Sequence, residues 1–384
     1  METGGVNGAT VYPETMDTDS KSGLSAQKSR SSAFKICLIL VGLLLLVLLL
    51  FLVILVTFFG VKNLYKDRNP PMPDAISGKN QINEDSSQEN SSNEPTAEEL
   101  RLPRNIYPVK YWIRLKTYFP SNSINYEEEK NFTIEGRVEI LVAVEEDTDV
   151  IVLNSHKINV SDSGSAVFVY ETDSNGQKNI SKLTVSQLEK KEKRQMLFIY
   201  VKEGLEAGKK YKLVINYVSE IAEDLAGAYR SKYTENGKTK WLVATQFQPI
   251  DARRVFPGYD EPDLKAVFNI KIIHASDLKA ISNAKEKSIT EYDDGWSLTE
   301  FGDSPKMSSY LVAFVVSDFQ HTEMTTKNGT LFRIWARPEF INQTRYAAQV
   351  GPKILDFFEE YYQIPFPLEK QGKNTYINKG NVRE

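Results

Sequence analysis

Hydrolytic metal chemistry would need three protein ligands around one open position. The chain has three histidines and a single cysteine, Cys37. His156, His274 and His321 are far apart in sequence and none belongs to an H-E-x-x-H pair, so each is expected to be a strand or loop histidine with an ordinary hydrogen bond. Cys37 lies inside a long apolar run and cannot serve as an exposed nucleophile, a disulfide partner or part of a thiolate site. No G-x-S-x-G elbow is present, and Gly204…Gly208-Lys209 has the wrong spacing for a phosphate loop. Carboxylate pairs such as Glu145-Glu146 and Asp293-Asp294 sit near turns and read as solvated loops, not glycosidase pairs. One segment stands apart, Val243 to Lys271. It sets Gln246, Gln248, Asp251, Arg253, Arg254, Asp260 and Glu261, with three prolines, between two apolar strands. Alternating charge predicts a rigid, self-paired loop; for Asp251, Arg253, Asp260 and Glu261 an internal network and a functional role are both open. Gln246 and Gln248 flank Phe247, so in an extended chain both amides point to one face, as at a ligand site.

The elements around this segment read as short strands. Tyr107–Phe119, Thr133–Val144, Val150–Leu153, Met196–Val201, Lys210–Val218, Lys240–Thr245, Ala266–His274 and Ser308–Phe319 alternate or are rich in β-branched residues. Asn236-Gly237 and Asp294-Gly295 mark two hairpins. Turn-separated strands with almost no helical period predict a mainly β fold, a β-sandwich over 101–320. Beyond it, Ala347–Tyr362 has helical period, with Val350, Ile354, Leu355, Phe358, Tyr361 and Tyr362 on one broad face and Pro352 within the first turn or so. Gln371–Glu384 is polar and shows no continuation, and residues 321–384 are expected to be the start of an incomplete α/β domain. Its helix is expected to be loosely docked, leaving Phe357, Phe358, Tyr361 and Tyr362 uncovered.

The segments before residue 101 read differently. Ile36–Val61 is 26 residues without a charge, 22 of them Leu, Ile, Val or Phe. As a helix it reaches roughly 39 Å, enough for a hydrocarbon core of about 30 Å. It is too long for a cleaved signal peptide and is expected to be a single transmembrane signal anchor in membrane lipid. Residues 1–35 then form a cytoplasmic tail and 62–100 a disordered stalk. Of 47 Lys+Arg and 51 Asp+Glu in the chain, the stalk holds four and eight, so the net charge of −4 belongs to it alone. The balanced remainder excludes a nucleic-acid protein. Sequons at Asn90, Asn131, Asn159, Asn179, Asn328 and Asn342 all follow the apolar run, which predicts a type II glycoprotein of the plasma membrane with its bulk outside.

The Val243–Lys271 segment resembles the signature of the gluzincin aminopeptidases, the aminopeptidase N-like family, in its N-terminal β domain. Leu102-Pro103…Tyr107-Pro108-Val-Lys-Tyr111, Lys306-Met-Ser-Ser-Tyr-Leu-Val-Ala-Phe314, Ile334-Trp-Ala-Arg-Pro338 and Leu355-Asp-Phe-Phe-Glu-Glu-Tyr-Tyr362…Pro365-Phe-Pro-Leu-Glu-Lys370 extend it over residues 100–370. The resemblance implies removal of N-terminal residues from peptides by a zinc enzyme. It implies that Gln248 helps recognise the substrate's free N-terminus or first side chain, and that Gln246 lines the same pocket. Gly258 and Tyr259 stand where Cys or Ser and Phe are common. The family's exopeptidase loop and H-E-x-x-H motif have no counterpart here. The expectation is a portion truncated before the zinc motif, with no catalytic residue, metal ligand or cofactor of its own, inactive alone. The alternative is a cell-surface binding or decoy module, pairing with itself or with a full-length aminopeptidase.

Overall fold

The computed structural model describes residues 94–161 and 165–374. The expected tail and anchor, most of the expected stalk and Asn90 lie outside them. Among the described residues no helix is long and apolar enough to cross a membrane.

The fold is mainly β. Its largest sheet has nine strands, in the order β14 (Glu286–Asp293), β15 (Trp296–Asp303), β12 (Val267–Ala275), β1 (Ile106–Tyr118), β2 (Thr133–Val144), β9 (Lys210–Glu220), β5 (Val167–Thr172) and β6 (Asn179–Leu183), with β4 (Ile158–Asn159) also on β9. Strand β2 shows the alternation that builds it: Ile134, Val138, Ile140 and Val142 are fully buried, while Glu135, Arg137 and Glu139 face outward. A three-stranded sheet runs β3 (Thr148–Asn154), β8 (Met196–Leu205), β7 (Val185–Lys191). A four-stranded sheet runs β10 (Gly227–Glu235), β11 (Lys238–Gln246), β16 (Phe314–Ser317), β13 (Lys279–Ser282). One apolar core is common to all three: Ile113, Ile140 and Ile215 of the large sheet, Ile151 and Ile199 of the second, and Val243 and Val316 of the third. Strand β1 pairs antiparallel with β2 and parallel with β12, whose register partners lie 157 residues later in the chain.

The hairpins are where the turn residues put them. Asn236 and Gly237 both have positive φ, 50° and 78°, as a two-residue turn between β10 and β11 requires. Ser308–Phe319 departs from expectation. It forms a 3-10 turn, Ser309–Leu311, and only Phe314–Ser317 is strand. The hydroxyls of Ser308 and Ser309 bond the Pro262 carbonyl and the Asp260 carboxylate, which draws this backbone away from the sheet.

A further sheet holds β17 (Gln320–Thr325), β18 (Leu331–Ala336) and β19 (Lys370–Asn374), with helix α1 (Arg345–Tyr362) between the last two. Two corrections follow. The helix begins at Arg345, so Pro352 lies two turns in and is buried instead of occupying the first turn. The polar stretch from Gln371 does continue the fold at its start: Lys370–Asn374 pairs in parallel with Leu331–Trp335. Helix α1 seats on the sheet by a narrow face of small residues, with Ala348 and Pro352 buried and Gly351 against Phe332, where an added Cβ would fall 2.2 Å from the ring. Its aromatic face is uncovered: Phe357, Phe358, Tyr361 and Tyr362 are 45–68% exposed.

Candidate functional site

The Gln246–Ala266 connection is where the chemistry of the sequence concentrates, and the fold fixes it at both ends. Strand β11 ends at Gln246. Phe247 turns into the core, 2% exposed, edge-on to Phe256, which in turn meets Phe268. That anchor leaves Gln246 and Gln248 exposed on either side of it. The Gln246 Nε2 donates to the Gln248 carbonyl at 3.2 Å, and the Asp251 amide closes the turn onto the Phe247 carbonyl at 2.8 Å. The Gln248–Pro249 peptide is cis. The pair forms an exposed edge at the end of a strand, holding neutral amide donors and acceptors. Four cavities of about 230–450 Å³ among the described residues are lined by other segments.

The charged residues behind this edge are internal supports. Arg253 and Asp260 are both buried and joined by an Nε–Oδ2 bond of 3.0 Å; the Arg253 Nη2 also donates to the Asp260 carbonyl at 3.0 Å. The Asn154 side chain accepts from the Asp260 amide at 3.0 Å, and its backbone bridges Gly258 in both directions. Glu261 accepts from the Leu102 amide at 2.7 Å and from Arg104 at 2.6 Å, tying the loop to the start of the domain. Arg254 holds both oxygens of Asp224 at 2.9 Å, with Asp251 at 3.7 Å. The Tyr111 hydroxyl accepts from the Tyr259 amide at 2.9 Å, and burial pushes both phenols well above their ordinary value. Of the two readings open in sequence, the network reading holds for Arg253, Asp260 and Glu261. Asn154 and Ser309 complete it; Ser309 lies in the Lys306–Phe314 segment that carries the resemblance, whereas the only signal for Asn154 was an Asn closing an apolar strand.

The histidines are not brought together. His274, in β12, donates from Nδ1 to the Ala275 carbonyl at 2.8 Å, since a carbonyl only accepts, and its Nε2 therefore accepts from Thr299 at 2.8 Å. Burial lowers its pKa, and likewise that of His156, beside Lys157 and Arg254, and of His321. His321 packs against Trp335, tilted, with ring centroids 4.3 Å apart. Among the described residues no group of three or more His, Cys, Asp or Glu is placed to hold a metal ion. The donor set present does not fit a zinc site.

Residues 107–311 match the Peptidase M1 N-terminal domain. The chain is 36% identical over 335 residues to aminopeptidase N of Haemonchus contortus, covering 87% of this chain and 32% of that protein. It is 37% identical over 279 residues to aminopeptidase N of Homo sapiens, covering 71% and 28%. Aminopeptidase Ey of Gallus gallus is 35% identical over 278 residues, covering 71% and 28%. The chain thus spans about a third of the length of these curated relatives.

Proposed function

The chain belongs to the peptidase M1 family of aminopeptidase N-like proteins, and from that premise we propose that its β domain supplies a peptide-binding wall, with Gln246 and Gln248 receiving the N-terminal residue of a peptide. The observation that carries this reading is the pair of exposed amides on either side of a buried Phe247, held by an ion-paired loop. Neutral amides can both accept from a substrate ammonium and donate to a backbone carbonyl, which suits a peptide's first residue. Zinc, the metal of the resembling family, would activate water for hydrolysis. The residues at the Gln246–Gln248 edge serve the binding of a peptide N-terminus, and the proposal is of binding without cleavage.

A peptide bearing a photo-crosslinker beside its free N-terminus tests the binding step. Labelling should map to residues 246–250, fall on N-acetylation of the peptide and be lost in Gln248→Ala. Labelling indifferent to acetylation would overturn the assignment.

The same proposal places the protein in the plasma membrane as a type II glycoprotein, anchored by Ile36–Val61. Asn159, Asn179, Asn328 and Asn342 are exposed, as glycan acceptors must be; Asn131 is half-buried and accepts from Tyr126 at 3.0 Å. A second reading, a binding module that pairs with a copy of itself or a full-length aminopeptidase, is favoured by the uncovered aromatic face of α1. Sedimentation of the full chain, alone and mixed with a full-length aminopeptidase, decides it: complexes lost in Phe357→Ser and Tyr361→Ser support pairing, and a monomer in both samples sinks it.

A further inference from the structure

The outer face of the nine-stranded sheet carries a charge pattern that the described chain leaves unbalanced. Lys271, Arg114 and Arg137 are direct register partners across β12, β1 and β2. At about 4.8 Å between strands, three cations stand within roughly 10 Å, and like charges directly opposite destabilise a sheet. The outer two have counter-charges: Arg137 holds Glu139 at 3.0 Å and Lys271 holds Glu300 at 2.8 Å. Arg114, in the middle, is exposed and makes no ion pair among the described residues. Glu135 on the same face is taken by Lys130 at 3.0 Å and Tyr118 at 2.8 Å. Two open cavities of about 450 and 420 Å³ flank the row, and both are lined by Arg114 and Arg137, so they meet there as one groove. Lys116 and Lys212 extend its positive lining, Asn216 and Asn269 add neutral amides, and its two carboxylates, Glu135 and Glu139, are those already paired with Lys130 and Arg137; Asn159, a proposed glycan acceptor, lines the larger cavity as well.

We propose that this groove binds a sulfated polysaccharide, with Arg114 as the central anion-binding residue. A row of fixed cations along an open groove suits a chain of regularly spaced anions, and a guanidinium without a carboxylate is free to grip an oxyanion through two donors. Single-stranded nucleic acid fits less well because it needs free aromatic faces for its bases. Here Lys110 and Lys212 lie over Trp112, and Lys116 lies over Trp296 and Tyr118.

The test uses the full chain in mild detergent and a heparin octasaccharide, titrated at several salt concentrations. Binding should weaken steeply with salt. Arg114→Gln should reduce affinity about tenfold, the equivalent of one charge-assisted hydrogen bond, while Lys353→Gln on α1 leaves it unchanged. A desulfated octasaccharide should not compete. Because Arg114 faces two like charges, its removal should leave the thermal midpoint equal or higher, which separates lost binding from lost folding. Parent-like affinity in Arg114→Gln would overturn the proposal. So would equal competition by the desulfated sugar, by single-stranded DNA or by anionic vesicles.

Discussion

At the scale of single residues, the Arg253–Asp260 pair separates support from function. Both side chains are buried, so removing one partner strands the other charge, at a cost of about 3–5 kcal/mol. Arg253→Met should lower urea-unfolding stability by that amount, whereas Gln248→Ala, on the exposed edge, should change it by under about 0.5 kcal/mol. A similar loss from both would mean that the edge is also structural. His274 gives a pH test. Burial lowers its folded pKa below the ordinary 6.5, so between those two values the unfolded chain binds the proton and the folded chain does not. Stability is full above pH 6.5 and should fall as pH drops through that window, with a shallower fall in His274→Gln. Much of this scale was legible in sequence. Alternating acids and arginines among prolines have few ways to be satisfied except by each other. Asn154 was not, because its partners are backbone groups from Gly258 and Asp260, some hundred residues away.

Among the elements, strands with two-residue periodicity were legible because a face buried in a common core must be apolar. Thr133–Val144 was readable to the residue, and both Asx-Gly hairpins at their turns. Two elements were hidden for opposite reasons. Ser308–Phe319 is apolar enough for a strand, but its serines are spent on the Gln246–Ala266 connection. Strand β19 is polar and short, and exists because β18, about 40 residues earlier, offers it a parallel edge. Helix α1 depends on Gly351 for its close approach to Phe332. Gly351→Ala should cost about 1–3 kcal/mol by overpacking and speed hydrogen exchange in β18 and β19 first. Unchanged exchange there would show that the helix is not seated as described.

For the molecule as a whole, the β17–β18–β19 sheet is tied to the larger body by polar contacts that no periodicity announces. Lys370 is buried and donates to the Ser282 carbonyl at 2.7 Å, and Arg333 holds Glu286 at 2.8 Å. Trp335 joins Tyr233 and Phe319 in a small core. Limited proteolysis of the full chain should therefore yield a resistant fragment that keeps residues 321–374 together with 101–320; a product ending near 320 would show that the tie is weak. Sequence alone suggested a break at that point because the strand pattern gives way to a helical period, while the joining contacts are single residues. The proposal that concerns the whole polypeptide is that it receives a peptide N-terminus without hydrolysing the peptide. The most direct measurement is release of chromophore from an alanyl amide by the purified 384-residue polypeptide supplied with zinc. Release no faster than in buffer is expected; zinc-dependent, chelator-sensitive release that survives further purification would sink the proposal.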